Sequence, residues 1–224
     1  MRFDDVIKYP TTNFDTRFIH PFTLYLFGES GAGKSSWVFN LLKLGTKAVN
    51  IRFRKIYYIF QFDQPLFRSM SQALENISFM KLEEVNFEEL LRDSKDCCIV
   101  FDDLIFELVN NHDILNISIG ESRHKTCSCI YISHYLFPQG RYSREIVTQC
   151  RYTLLFPTCK NLLSVERFAL KVVAKNELEA FMKAYADSSK YVFNPLLIDC
   201  SPNLARIFRL RSFVLNPIQV VYLL

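Results

Sequence analysis

Apolar residues along this chain come in short unbroken runs. FTLYLF (22–27), KIYYIF (55–60), CCIVFDD (97–103), CSCIYIS (127–133), YTLLF (152–156) and PLLID (195–199) each have the length of a strand. Continuous runs mark strands buried on both faces, whereas a sheet with one wet face alternates apolar and polar positions. Helical spacing fills the gaps. The first run is followed by Gly28 and a helix through about Leu44, and NFEELLRD (86–93) reads as a short helix capped by Asn86 with Glu89 three residues later. A helical stretch covers 105–118, and two helices fill 161–187. Strand alternating with helix predicts one α/β domain over residues 1–224, with a mostly parallel sheet sandwiched between helices. No internal repeat, low-complexity segment or Pro/Gly/Ser-rich linker divides it.

Composition agrees with a large core. Half of the 224 residues are hydrophobic, 15% are aromatic and only 22% are charged, which excludes a disordered chain. The formal charge of +4 is too small to name a polyanionic partner, but its distribution is uneven. Residues 41–60 hold five basic and no acidic side chains, 136–175 hold seven basic against two acidic, and 201–224 hold three arginines and no carboxylate. These stretches are either solvated faces or a basic surface.

Seven cysteines is an odd number, and Cys97, Cys98, Cys127 and Cys129 lie inside strand-like runs. That pattern fits buried thiols in a reducing compartment better than a disulfide scaffold. Cys127-x-Cys129 has no second Cys or His pair at zinc spacing. The opening residues lack a signal-peptide apolar core, and no apolar run reaches membrane-spanning length. The expectation is a soluble intracellular protein with no membrane partner.

The candidate chemistry begins directly after the first run. Gly28-Glu29-Ser30-Gly31-Ala32-Gly33-Lys34-Ser35 matches the phosphate-binding P-loop (Walker A) at every required position, with Ser36 next. It follows a predicted strand and opens a predicted helix, the context that motif needs. Glycines let backbone N–H groups turn inward around phosphate oxygens, and the helix start adds positive potential. Residues 28–36 are therefore the candidate ATP-binding set. Lys34 is expected to reach the β- and γ-phosphates, and the Ser35 hydroxyl to be a Mg²⁺ ligand.

A second acidic element must hold the metal. CCIVFDD supplies it: Asp102 stands at the Walker B position as the water-mediated Mg²⁺ ligand, and Asp103 is set to polarise the attacking water. The Asn-Lys-x-Asp base-reading motif of GTPases is absent. In many motor ATPases a sensor strand lies between the P-loop and Walker B strands and ends in a polar residue that reads the γ-phosphate. Ser133 or His134 stands there, and His134 is taken as the sensor.

Together GESGAGKSS, FQFDQPLF, IVFDDL, ESRHKTCSCIYISHYLFPQGRYSREI and LLIDCSPN resemble the genome-packaging ATPases of the FtsK/HerA superfamily. The resemblance is in particular to those of Polinton/Maverick-type elements, adintoviruses and adenovirus-like viruses. The pieces run from about residue 20 to the C-terminus, and YLFPQGRYSR is the more telling one. The resemblance implies a homo-oligomeric ring motor that couples ATP hydrolysis to moving double-stranded DNA into a capsid. It implies contact with capsid protein, a host-nuclear or virion-associated location, and DNA binding without base specificity, for which basic residues of 136–175 are candidates. It also implies an arginine acting across a subunit boundary, with Arg123, Arg141 and Arg144 as candidates.

Two positions depart from that family's pattern. Its sensor strand usually ends in a Thr-Gln-Asn-like triplet, where this chain has Ser133-His134-Tyr135, and its Walker B strand often ends Asp-Glu, where this chain has Asp103. Both bear on the rate of hydrolysis more than on nucleotide binding. The readings carried beside the motor are a nucleotide or small-molecule kinase, with Arg141 and Arg144 in its lid, and a nucleotide-binding interaction module with weak or no hydrolysis. A helicase-like or DNA-segregating motor shares the motor's chemistry.

Overall fold

The structure, a computed structural model, describes residues 6–10, 15–92, 94–111, 127–142, 146, 148–202 and 204–224. In chain order the described elements are β1 (Val6–Pro10), β2 (Thr23–Phe27), α1 (Lys34–Leu44), β3 (Lys55–Phe60), α2 (Leu66–Ala73) and β4 (Ile77–Lys81). Then follow α3 (Phe87–Arg92), β5 (Cys97–Asp102), α4 (Ile105–Asn110), β6 (Cys127–Ser133) and β7 (Tyr152–Leu155). The last are α5 (Leu162–Val172), α6 (Leu178–Ser188), β8 (Leu196–Asp199), β9 (Leu210–Ser212) and β10 (Ile218–Tyr222).

The strands form one ten-stranded sheet in the order β1-β10-β9-β8-β7-β2-β6-β5-β3-β4. From β7 to β4 every pairing is parallel, and from β7 through β8, β9 and β10 to β1 every pairing is antiparallel. All residues of β2, β5, β6 and β7 are buried, as their unbroken apolar runs require. The side-chain period of two then divides them between two cores. Tyr25 and Phe27 face a core with Leu108 of α4, Phe168 of α5 and Phe181 of α6. Leu24 and Leu26 face the other, with Val38 and Leu41 of α1 and Met70 of α2. Helices cover both faces, and β6 lies between β2 and β5 as the motif order predicted.

The structure adds elements that the apolar runs did not announce. α2, the edge strand β4 and the antiparallel wing made by β9, β10 and β1 were all unpredicted. β4 is only half-buried, so its sequence lacks the continuous apolar signal, and β9 is three residues long. The short helix at 86–92 stands as expected, with Asn86 Oδ1 accepting the Glu89 N–H at 3.2 Å. Of the helix expected over 105–118, the described part ends at Asn110, and residues 112–118 lie outside the described residues.

Cys97, Cys98, Cys127, Cys129 and Cys150 are buried free thiols, whereas Cys159 and Cys200 are exposed. Among the described residues no group of three or more His, Cys, Asp or Glu side chains is placed to hold a metal. No described helix is long and apolar enough to cross a membrane.

One of the three C-terminal arginines departs from a surface reading. Arg211 on β9 is 2% exposed. Its Nη2 donates to Asp199 Oδ2 at 2.8 Å, and its Nη1 to Gln219 Oε1 and the Thr16 carbonyl, each at 3.1 Å. It ties β8 to β10 inside the wing and adds nothing to a basic surface.

Candidate nucleotide site

Register brings the chemistry together. In the parallel pairings Phe27 stands opposite Ser133, and Asp102 opposite Ile132. Adjacent strands are about 4.8 Å apart, so the residues just beyond β2, β6 and β5 meet at one edge of the sheet. That edge is the carboxyl end of the strands, where open α/β sheets bind ligands. Two backbone bonds fix the junctions: Gly28 N–H to the Ser133 carbonyl at 3.3 Å, and Asp103 N–H to the Ile132 carbonyl at 3.1 Å.

The loop itself is built by its glycines. Gly33 precedes α1 with φ of +89°, and its carbonyl accepts the Trp37 N–H at 2.8 Å, opening the helix. At Gly28 the reason is close approach, because a Cβ there would stand 2.6 Å from Cβ of Phe156. No acidic residue occupies the first turn of α1, so nothing of that sign competes for its unpaired N–H groups.

Ser30, Gly31, Gly33, Lys34, Ser35 and Ser36 line a cavity of about 440 Å³ together with Asp102, Asp103 and His134. Gly28, Glu29 and Ala32 do not line it. The Glu29 carboxylate accepts the Thr158 hydroxyl and, at 3.1 Å, the Lys160 N–H, which pins the loop to the segment after β7. The Thr158 hydroxyl is the main cause holding that carboxyl below its usual range.

Lys34 is 6% exposed. Its ammonium donates to the Gly28 carbonyl at 2.7 Å and the Glu29 carbonyl at 3.0 Å, and lies 3.1 Å from His134 Nδ1. Burial pulls its pKa down to about 8, against the opposing pull of Asp103, Asp102 and Glu29. His134 Nδ1 is also 3.1 Å from the Gly28 carbonyl, and Nε2 is 3.7 Å from Asp103 Oδ2. Nδ1 of His134 thus meets both the Lys34 ammonium, which can only donate, and the Gly28 carbonyl, which can only accept, while Nε2 faces the Asp103 carboxylate.

The structure separates the two sensor candidates. Ser133 is fully buried, and its hydroxyl donates to the Tyr135 carbonyl at 3.0 Å while accepting the Tyr135 N–H at 2.9 Å. His134 alone of the two lines the cavity.

Asp102 is 3% exposed and receives three donors on Oδ2: the Tyr58 hydroxyl at 2.6 Å, Gln64 Nε2 at 3.0 Å and the Ser35 hydroxyl at 3.3 Å. Burial raises its pKa above the usual carboxylate range, and those donors oppose the rise. Asp103 leaves the strand with φ of +57°, a left-handed conformation that Asp tolerates better than most residues. Ser35 Oγ and Asp102 Oδ2 are two adjacent hard oxygen donors, a set that suits Mg²⁺ with water completing its shell.

Sequence reasoning missed six residues here. Tyr58 and Gln64 hold Asp102, and Gln64, Pro65, Leu66, Ile132 and Phe193 line the cavity. A hydroxyl within the apolar run KIYYIF was a usable signal, because a buried Tyr needs a partner. Nothing in the sequence marked Phe193. Of the arginine candidates, Arg141 is exposed, with its guanidinium over the Tyr142 ring at 5.4 Å, and does not line the cavity. Arg123 and Arg144 lie outside the described residues.

No family model matches the chain, and no curated protein matches it in sequence. Solved structures do match in fold. The chain is similar to B204, the DNA-packaging ATPase of Sulfolobus turreted icosahedral virus, with a TM-score of 0.55 at 14% identity over 92% of this chain and 99% of that one. It is also similar to the genome-packaging NTPase B204 of Sulfolobus turreted icosahedral virus 2 in complex with ATP-gammaS. That match has a TM-score of 0.55 at 14% identity over 82% of this chain and 94% of that one. The complex of the latter with AMP gives 0.52 at 16% identity over 80% and 93%. The fold is therefore that of an α/β P-loop NTPase.

Proposed function

We propose that this chain is a genome-packaging ATPase of the FtsK/HerA superfamily, of the Polinton/adenovirus-like type, which hydrolyses ATP to drive double-stranded DNA into a viral capsid. The observation that carries this reading is the convergence of Lys34, Ser35, Asp102, Asp103 and His134 on one cavity, with β6 between β2 and β5. The B204 likeness supports it, since B204 is a genome-packaging NTPase whose structures include complexes with AMP and ATP-gammaS.

In this mechanism the loop N–H groups and the Lys34 ammonium hold the triphosphate, and Lys34 offsets charge that develops on the transferred phosphoryl group. Ser35 and Asp102 would hold Mg²⁺, which would supply positive charge against the phosphates. Asp103 orients and polarises the attacking water. The His134 ring stands beside Asp103, where the terminal phosphate would lie. There it reports phosphate occupancy to β6, and through Ser133 to Gly28. The subunits form a homo-oligomeric ring, in which one of Arg123, Arg141 and Arg144 reaches the neighbour's phosphates. Basic side chains of 136–175 hold the DNA backbone without reading bases. The protein works in the host nucleus or on the virion, against capsid protein.

The test is ATP turnover by purified protein, with and without long double-stranded DNA, beside Lys34→Ala. Turnover that rises with DNA and vanishes in the variant is expected. Full activity in Lys34→Ala sinks the site assignment, and turnover indifferent to DNA sinks the motor.

A further inference from the structure

The phosphate cavity has a neighbour. A second cavity, of about 790 Å³, runs beside α1 past Trp37, Asn40 and Lys43 and is closed by the segments around Tyr191 and Phe213. Phe193 lines both cavities. Its ring lies over the last loop glycine: a Cβ on Gly33 would stand 2.5 Å from Phe193 Cδ1.

Phe193 is costly to place there. Phe193 is 59% exposed, and its backbone holds φ of +60°, a left-handed conformation that bulky side chains rarely adopt. Burial does not repay that strain, and strained residues gather at ligand clamps. Tyr191, two residues earlier and 52% exposed, meets the Phe213 ring edge-on at 5.0 Å. An aromatic wall therefore faces water beside a phosphate loop.

A nucleotide with its triphosphate in the loop has, on the proposed mechanism, its terminal phosphate toward Asp103 and His134, the water-polarising and sensing groups of the cavity. On that orientation its sugar and base leave past Gly33 and Ser36, which line the same cavity. There the second cavity begins, and Phe193 is the wall the two share. We propose that Phe193 is the platform on which the purine base of the nucleotide stacks, with the ribose crossing Gly33 into the groove beside α1. The proposal rests on reading the smaller cavity as the triphosphate site.

The rival explanation is that Phe193 merely props Gly33, and two ligands separate the two. Calorimetric affinities for MgATP and for magnesium tripolyphosphate, which has the phosphates but no base, are compared in the wild type, Phe193→Ala and Phe193→Tyr. Stacking on an aromatic ring predicts that Phe193→Ala weakens MgATP about tenfold and leaves tripolyphosphate unchanged. Phe193→Tyr keeps MgATP affinity, and the melting temperature of Phe193→Ala verifies its fold. Equal weakening of both ligands overturns the proposal in favour of a prop, and unchanged MgATP affinity overturns it by placing the base elsewhere. If the wild type binds neither ligand, the triphosphate-site reading itself falls, and the stacking proposal with it.

Discussion

The Tyr58 hydroxyl donates to Asp102 Oδ2 at 2.6 Å, across the parallel pairing of β3 with β5. Asp102 stands opposite Phe60, so Tyr58, two residues back on the same face, is its diagonal neighbour. The carboxylate is buried with a raised pKa, and Tyr58 is the largest influence lowering it. Tyr58→Phe removes that donor, and the Asp102 pKa rises further. Metal binding needs the ionised form, so hydrolysis is lost as pH falls through that pKa, and the acid limb of the pH–rate profile moves upward in the variant. Loss of a hydrogen bond to a charged group is also expected to cost about 2 kcal/mol of stability. An acid limb that stays in place refutes the role given to Tyr58.

Lys34 titrates near pH 8, whereas an unfolded lysine holds its proton to about 10.5. Between those values the unfolded chain binds more protons, so this group makes stability rise with pH across that window. Phosphate binding needs the cation and works the other way. MgATP affinity is expected to fall as pH rises through 8, and binding at about pH 9 (roughly the midpoint of the shifted window) to take up a proton. Calorimetry in two buffers of different ionisation heat measures that proton directly, and zero uptake contradicts the assignment.

Gly28→Ala and Gly31→Ala separate crowding from backbone strain. A Cβ at Gly28 meets Cβ of Phe156, an atom fixed to the backbone of its own segment, whereas at Gly31 nothing lies within 4 Å. Gly31 pays only for its φ of +77°, about 1 kcal/mol. Gly28→Ala is expected to cost roughly 3 kcal/mol and to weaken MgATP more than Gly31→Ala does. Denaturant melts and nucleotide titrations of both variants check the order.

Arg211 and Asp199 form a buried pair at 2.8 Å. Arg211→Met leaves the Asp199 carboxylate buried without that partner, at an expected cost of 3–5 kcal/mol, the usual range for breaking such a pair. Arg211→Met with Asp199→Leu removes both charges and recovers most of it. Denaturant unfolding of the single and double variants decides, and a double variant no better than the single one disproves the pair's part.

Sequence alone determined the parallel core and the two motifs at its edge, because both are local. Apolar runs, glycine conformations and helix starts are fixed by residues a few positions apart, so FTLYLF-Gly28 through Ser36 and CCIVFDD announced themselves. The place of β6 between β2 and β5 also followed, since the motifs carry the expectation of a sensor strand between them. Only the tertiary structure decided which of Ser133 and His134 faces the cavity, because that depends on how the turn after β6 uses the Ser133 hydroxyl. It also decided that Tyr58 and Gln64 hold Asp102 and that Phe193 lies on Gly33, 160 positions away in the chain. The antiparallel wing was invisible for the same reason. β9 is three residues long, and β1 pairs with β10 more than 200 positions away, so the wing rests largely on a pairing that no local window contains.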